Sequence, residues 1–154
     1  MKVMIFTDGS CQGNPGPGGW ACLLRCTGRE DGVDYEKMLS GGEERTTNNR
    51  MEMMGAICGL EALQFPCEVT VVSDSALLIN SWNKGWIKNW MKNGWMSSSG
   101  GEVKNQDLWK RLVAAVNCHK VTWKWVKGHA GHPENERVDE RAQAEARSIL
   151  ASLG

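Results

Sequence analysis

Lys2-Val3-Met4-Ile5-Phe6-Thr7-Asp8-Gly9-Ser10 opens the chain with an apolar alternation that ends on a carboxylate. Val3 and Ile5 fall on one face of an extended segment, with Met4, Phe6 and Asp8 on the other. Asp8 therefore stands on a face otherwise fit for a core. A carboxylate is expensive to bury there unless it is paired or binds a metal. Working outward, three more acids occupy similarly odd places: Glu52 near a helix start, Asp74 at a strand end, and Asp139 after a histidine-bearing loop. One such residue would mean little. Four point to a metal site.

The 154 residues suit a single domain, residues 1–154, large enough to bury a core without staples. Eighteen basic residues balance 18 acidic ones, so a nucleic-acid partner must be met by a local basic patch. No signal peptide and no apolar run of membrane-spanning length is visible, and a cytoplasmic location is expected. The six cysteines are scattered, with Cys22 and Cys26 four apart and no second close pair, which argues against a zinc module. Reduced, mostly buried thiols are the expectation. Five of the eight tryptophans fall between Trp82 and Trp109.

Lys2 to Thr7 reads as a first strand, and the glycine- and proline-rich stretch from Cys11 to Gly19 as a turn. Trp20 to Arg25 resumes an extended pattern. Gly28 and Gly32 then punctuate a hairpin to a third strand near Lys37 to Gly41. Thr46-Thr47-Asn48-Asn49 offers N-cap side chains before a helix from Arg50 to Gln64, where Met53, Ala56, Ile57, Leu60 and Leu63 form one stripe. Glu52 lies in its first turn, and small Ala56 and Gly59 on its side leave room for something to approach. Pro66 ends the helix. A strand at Glu68–Ser73 follows, then helix from Ala76 to Met91 interrupted near Gly85, a helix at Gln106–Val116, a strand through Val121, Trp123 and Trp125, and a closing helix from Glu134 to Leu150. That order implies a mixed α/β sheet covered by helices.

In such a sheet the four acids can converge near the carboxyl ends of strands. Carboxylates without clustered thiolates suit a hard cation, Mg²⁺ or Mn²⁺. Packed together without metal they repel, and some hold protons at neutral pH. Two divalent ions about 3.5–4 Å apart relieve that repulsion and form a phosphoryl-transfer centre.

Thr7-Asp8-Gly9-Ser10, Thr46-Thr47-Asn48-Asn49-Arg50-Met51-Glu52, Ser73-Asp74-Ser75 and the long run from Trp125 to Asp139 together resemble a bacterial-type type 1 ribonuclease H. The resemblance covers nearly the whole chain, in order and at compatible spacing. It implies the ribonuclease H-like fold, a five-stranded mixed sheet flanked by helices. It also implies cleavage of the RNA strand of an RNA–DNA hybrid, leaving 5′-phosphate and 3′-hydroxyl ends, with Mg²⁺ as cofactor in two ions per site and Mn²⁺ as a substitute. By motif, Asp8 would bridge both ions, Asp139 would help hold the ion that activates water, and Glu52 and Asp74 the ion at the leaving oxygen. His129 matches a histidine that carries protons or eases product release, either role being sensible for an imidazole. His132 reads as structural, shaping the turn before Pro133.

For the hybrid, the resemblance nominates Gly9, Ser10, Cys11, Gly13, Asn14, Asn48 and Glu52 along the minor groove, where 2′-hydroxyls tell RNA from DNA, and Asn49 among the substrate-binding residues. Gln12 lies on the same path. Asn14, Thr47 and Arg50 match a pocket for a DNA phosphate, although helix capping by Thr47 serves equally well. Trp86 and Trp90 share one helical face, with Lys84, Lys88 and Lys92 nearly opposite. There the resemblance implies a basic protrusion for the DNA strand. The protrusion is only modestly basic, with Met96–Glu102 where lysines are common, so weak hybrid binding, a raised KM and a shallow salt dependence are expected. A monomer is expected. The alternative is a non-catalytic or weakly active hybrid-binding module of the same fold. A DNA exonuclease or transposase core is weighed against by the His129 loop, and a thiol redox or metal-storage protein by the cysteine spacing.

Overall fold

The computed structural model describes residues 1–28 and 31–154. β1 (Lys2–Cys11) pairs antiparallel with β2 (Gly16–Thr27), and β2 antiparallel with β3 (Tyr35–Thr46). On its other side β1 runs parallel to β4 (Glu68–Ser73), which runs parallel to β5 (Lys120–Trp125). The spatial order is β3-β2-β1-β4-β5, a mixed five-stranded sheet as expected. The helices are α1 (Asn48–Glu61), α2 (Ala76–Asn83), α3 (Trp86–Lys92), α4 (Gln106–Val116) and α5 (Pro133–Leu153).

The alternation along β1 now has its reason. Val3 and Ile5 join one apolar cluster with the α1 stripe Met53, Ala56, Ile57 and Leu60, and with Leu108, Trp109 and Leu112 of α4. Phe6 joins a second cluster with Ala21, Leu23, Val72 and, from α5, Val138 and Ala142. One long helix thus covers one face, and shorter helices cover the other. Two aromatic pairs tie the short helices down. Trp82 of α2 stacks on Trp123 of β5, centroids 5.2 Å apart and planes within 5°. Trp90 of α3 packs at 5.3 Å against Trp109 of α4.

Several expected boundaries move. The first three strands are longer than the alternation indicated, and only Gln12–Pro15 remains of the turn expected from Cys11 to Gly19. The glycines there serve packing as well as turning. A Cβ on Gly19 would meet Ala142 O and lie 2.6 Å from Ala146 N, so its absence lets α5 lie on β2. α1 starts two residues early because Thr47, not a later residue, caps it: Thr47 Oγ1 accepts from Arg50 N at 3.3 Å. The room beside Ala56 and Gly59 is filled by β1, since Ile5 Cγ2 lies 2.9 Å from where a Gly59 Cβ would be. The interruption near Gly85 is present, with Gly85 at φ 73 between α2 and α3. The hairpin tip between Gly28 and Gly32 includes residues outside the described ones. All six thiols are free as expected, but fewer are buried than expected: Cys22 and Cys67 are buried and Cys118 is exposed.

Candidate active site

β4 accompanies β1 only as far as the Phe6–Val72 pair, after which the parallel strands separate. Asp8 lies just beyond that point on β1, and Asp74 just beyond the end of β4. Carboxyl ends of parallel strands are where open α/β sheets place their ligands. Glu52 reaches the same spot from the first turns of α1. Asp8, Glu52 and Asp74 each offer an oxygen within 4.8 Å of the others.

Close packing brings Glu52 in. A Cβ on Gly55, one turn further along α1, would collide with Thr7 Oγ1, itself donating to Ala21 O at 3.2 Å. Glycine at 55 thus lets the helix press onto β1, so that Glu52 meets Asp8. On the other flank Gly128 makes room for Asp74, since a Cβ there would stand 2.7 Å from Asp74 Oδ2. Ser75 Oγ caps α2 by accepting from Leu78 N, and Asp74 O accepts from Trp125 Nε1, which fixes the backbone around the carboxylate.

The electrostatics are those of a site built for a cation. Burial, then the repulsion of Asp74 and Asp139, pushes the Asp8 carboxyl up to about 7 despite bonds from its neighbours. Burial and Asp8 push Glu52 well above the usual range, and burial with Asp139 raises Asp74. Glu52 Oε2 is buried with no hydrogen-bond partner among the described residues. A buried acceptor left without a donor is costly, and a divalent cation is the partner that would satisfy it. The hard oxygen donor set fits Mg²⁺ or Mn²⁺ better than zinc.

Asp139, in the second turn of α5, lies outside the tight group but borders the same cleft, with Asp8, Asp74, Gly128 and His129. His129 Nδ1 is 3.9 Å from Asp139 Oδ2 on a side chain 80% exposed. Its φ of 54 is unusual for a non-glycine residue and holds the imidazole at the cleft rim. His132 sits at the N-cap of α5 before Pro133, makes no side-chain cap bond, and borders the same cleft.

The nominated binding residues divide. Gly9, Ser10 and Cys11 continue β1 past Asp8, and Cys11 Sγ donates to Gly16 O and Thr46 O. Asn14 Oδ1 accepts from Asn48 N at 3.1 Å, so the turn is tied to the start of α1; Asn48 and Asn49 are exposed there. Arg50 is already engaged, its guanidinium forking onto both oxygens of Asp107 at 2.9 and 2.7 Å and reaching Asn105. Trp90 is half-buried against the core, whereas Lys88 is exposed and Trp86 partly so. Sequence reasoning missed Gly55, Gly128, Asp107 and Gln143. None of the four stood out in the sequence; Gln143 follows Asp139 at four residues on α5, a spacing that becomes informative only once Asp139 is placed at the cleft.

Fold and site together have the form of a nuclease, a mixed five-stranded sheet whose carboxylates could hold divalent cations. The family model described as RNase H matches residues 1–147. A Ribonuclease H of Ruegeria sp. is 58% identical over 142 residues, covering 92% of this chain and 89% of the relative. One from Thermus thermophilus is 53% identical over 147 residues, covering 96% of this chain and 85% of the relative. Among solved structures, LC9-RNase H1, a type 1 RNase H with the type 2 active-site motif, is similar with a TM-score of 0.86 at 33% identity, covering 96% of this chain and 73% of that one. The chain belongs to the RNase H family, endoribonucleases acting on RNA–DNA hybrids, and to its type 1 branch. The alternative of a binding module is not favoured, because all four carboxylates are present.

Proposed function

We propose that Asp8, Glu52, Asp74 and Asp139 hold two divalent cations, with which the chain hydrolyses the RNA strand of a hybrid to 5′-phosphate and 3′-hydroxyl ends. The observation that carries this reading is the group Asp8, Glu52 and Asp74, with its unpartnered buried oxygen. Bound cations supply an acidified water and charge to balance the developing oxyanion. Asp8, common to the tight group and to the cleft that Asp139 borders, would serve both ions. Glu52 and Asp74 would hold the ion that steadies the leaving oxygen, and Asp139 would help hold the ion that activates water. His129, exposed at the rim, takes up or releases the proton or eases product release.

Gly9, Ser10, Cys11, Gly13, Asn14, Asn48 and Asn49 line the path of the minor groove, where backbone amides and small polar groups meet 2′-hydroxyls. Thr47 and Arg50 meet a DNA phosphate, for which Arg50 shares its donors with Asp107. Trp86, Lys88 and the exposed edge of Trp90 meet the DNA strand. The cation is Mg²⁺, with Mn²⁺ able to replace it. The protein works as a monomer in the cytoplasm; free thiols suit a reducing compartment, and every ligand of the site comes from one chain. Among the described residues no helix is long and apolar enough to cross a membrane.

The test is cleavage of a labelled RNA–DNA hybrid with Mg²⁺, beside RNA duplex, DNA duplex and single-stranded RNA, for wild type and Asp8→Asn. Metal-dependent cutting of the hybrid's RNA alone, lost in the variant, is the expected result. A folded protein that cuts nothing with any divalent ion overturns it.

A further inference from the structure

Asp139 stands apart from the other three carboxylates, and its own side chain is held from behind. The Gln143 amide nitrogen Nε2 donates to both Asp139 oxygens, at 3.1 Å each. Behind it, Arg147 Nη1 donates to Gln143 Oε1 at 3.4 Å. The three residues follow one another at four-residue steps on α5, the spacing that stacks side chains on one helix face. An amide can present either end, but here the ends are not interchangeable. A guanidinium only donates and an ionised carboxylate only accepts, so the nitrogen must face Asp139.

The nature of this donor matters. A carboxylate has about four lone-pair positions. Gln143 uses one on each oxygen and leaves the others for the cleft it shares with Asp8, Asp74 and His129. A lysine or arginine in the same place would fix the carboxylate equally well but cancel the charge that attracts a cation. The neutral amide fixes orientation and leaves the charge intact. Arg147 puts its positive charge one further turn away.

We infer that Gln143 is a positioning residue: with Arg147 behind it, it presets the Asp139 carboxylate for the second cation. This rests on the proposed role of Asp139 as a ligand. Groups that orient metal ligands typically contribute about 10–100-fold to metal affinity.

The test replaces the donor with an apolar side chain of similar length, Gln143→Leu. Hybrid cleavage is followed against Mg²⁺ concentration, well below the melting temperature of each protein. The Mg²⁺ needed for half-maximal rate should rise about tenfold, while KM for the hybrid at saturating Mg²⁺ stays near wild type. Arg147→Ala, which frees the amide to turn, should give a smaller rise in the same direction and serves if Gln143→Leu folds poorly. Independently of turnover, Mg²⁺ is titrated calorimetrically into the enzyme bound to a hybrid made uncleavable by 2′-O-methyl groups. Only the weaker of two binding events should weaken in Gln143→Leu. A lowered melting temperature with unchanged Mg²⁺ dependence would mean that the amide merely staples α5, and would overturn the inference. If Asp139→Asn cuts like wild type, the ligand role of Asp139 fails first. If Asp139→Asn is inactive while Gln143→Leu keeps the wild-type Mg²⁺ dependence, the positioning inference alone fails.

Discussion

A proton on Asp8 couples stability to the cation. Its carboxyl moves from an ordinary 3.8 to about 7 in the folded chain, chiefly because burial disfavours the charge. The folded state therefore holds this proton more tightly than the unfolded one. Stability from it is full below pH 4 and is lost as pH rises through 7. Without metal, unfolding free energy should fall between pH 4 and 7, with a slope approaching about 1.4 kcal/mol per pH unit. Asp8→Asn should flatten that slope, and Mg²⁺ should reverse it. Urea unfolding in chelator, with and without Mg²⁺, checks all three; a metal-free wild type no more pH-sensitive than Asp8→Asn would refute them. Gly128 is a second single-residue case. In Gly128→Ala the new methyl group would press on Asp74 Oδ2. A displaced ligand should lower kcat by about 10–100-fold with little change in melting temperature, read by steady-state kinetics and calorimetry.

One helix sets the site's width. α1 approaches β1 as closely as Gly55 permits, and Glu52 rides on it. Gly55→Ala overpacks that seam, so stability should drop by about 1–3 kcal/mol and activity should fall with it. Thr47→Ala removes only the cap, at about 1 kcal/mol, and should leave the helix in place; denaturant unfolding distinguishes the two. The elements also show what a one-dimensional reading can reach. α4 was legible because Leu108, Trp109, Leu112 and Ala115 reach the core at helical spacing, and β5 because Val121 and Trp123 alternate towards it, although Trp125 at the same period stands exposed. The acids were legible because an ionisable group at the end of an apolar strand, or in a helix's buried first turn, is a cost that something must offset. Strand ends at Gly16–Gly19 were not, because glycine there marks the close passage of other segments, α5 against Gly19 and Thr46 and Met51 against Gly18, which only the tertiary fold supplies. Engagement of Arg50 was hidden too, since its partner Asn105 lies 55 residues away in sequence. Gln143 was hidden differently: on a polar helix one more glutamine stands out against nothing.

The whole molecule carries no net charge, yet its partner is a polyanion. On the proposed reading, positive charge comes from bound cations at the site and from Lys84, Lys88 and Lys92 around α3, all three exposed. Three such contacts predict a slope of about −3 for log affinity against log salt, measured by fluorescence anisotropy on an uncleavable hybrid. A slope twice as steep would show that more phosphates are gripped than the protrusion supplies. On the β5 side of the sheet the Trp82–Trp123 stack has a use beyond packing. Two indoles lying face to face at 5.2 Å form a chromophore unlike the remaining tryptophans. β5 borders β4, and β4 ends one residue before Asp74. Parting of β5 from α2 would unstack the rings and alter the near-ultraviolet circular dichroism, giving the enzyme a label-free optical gauge of the strand pair that delivers one of its ligands.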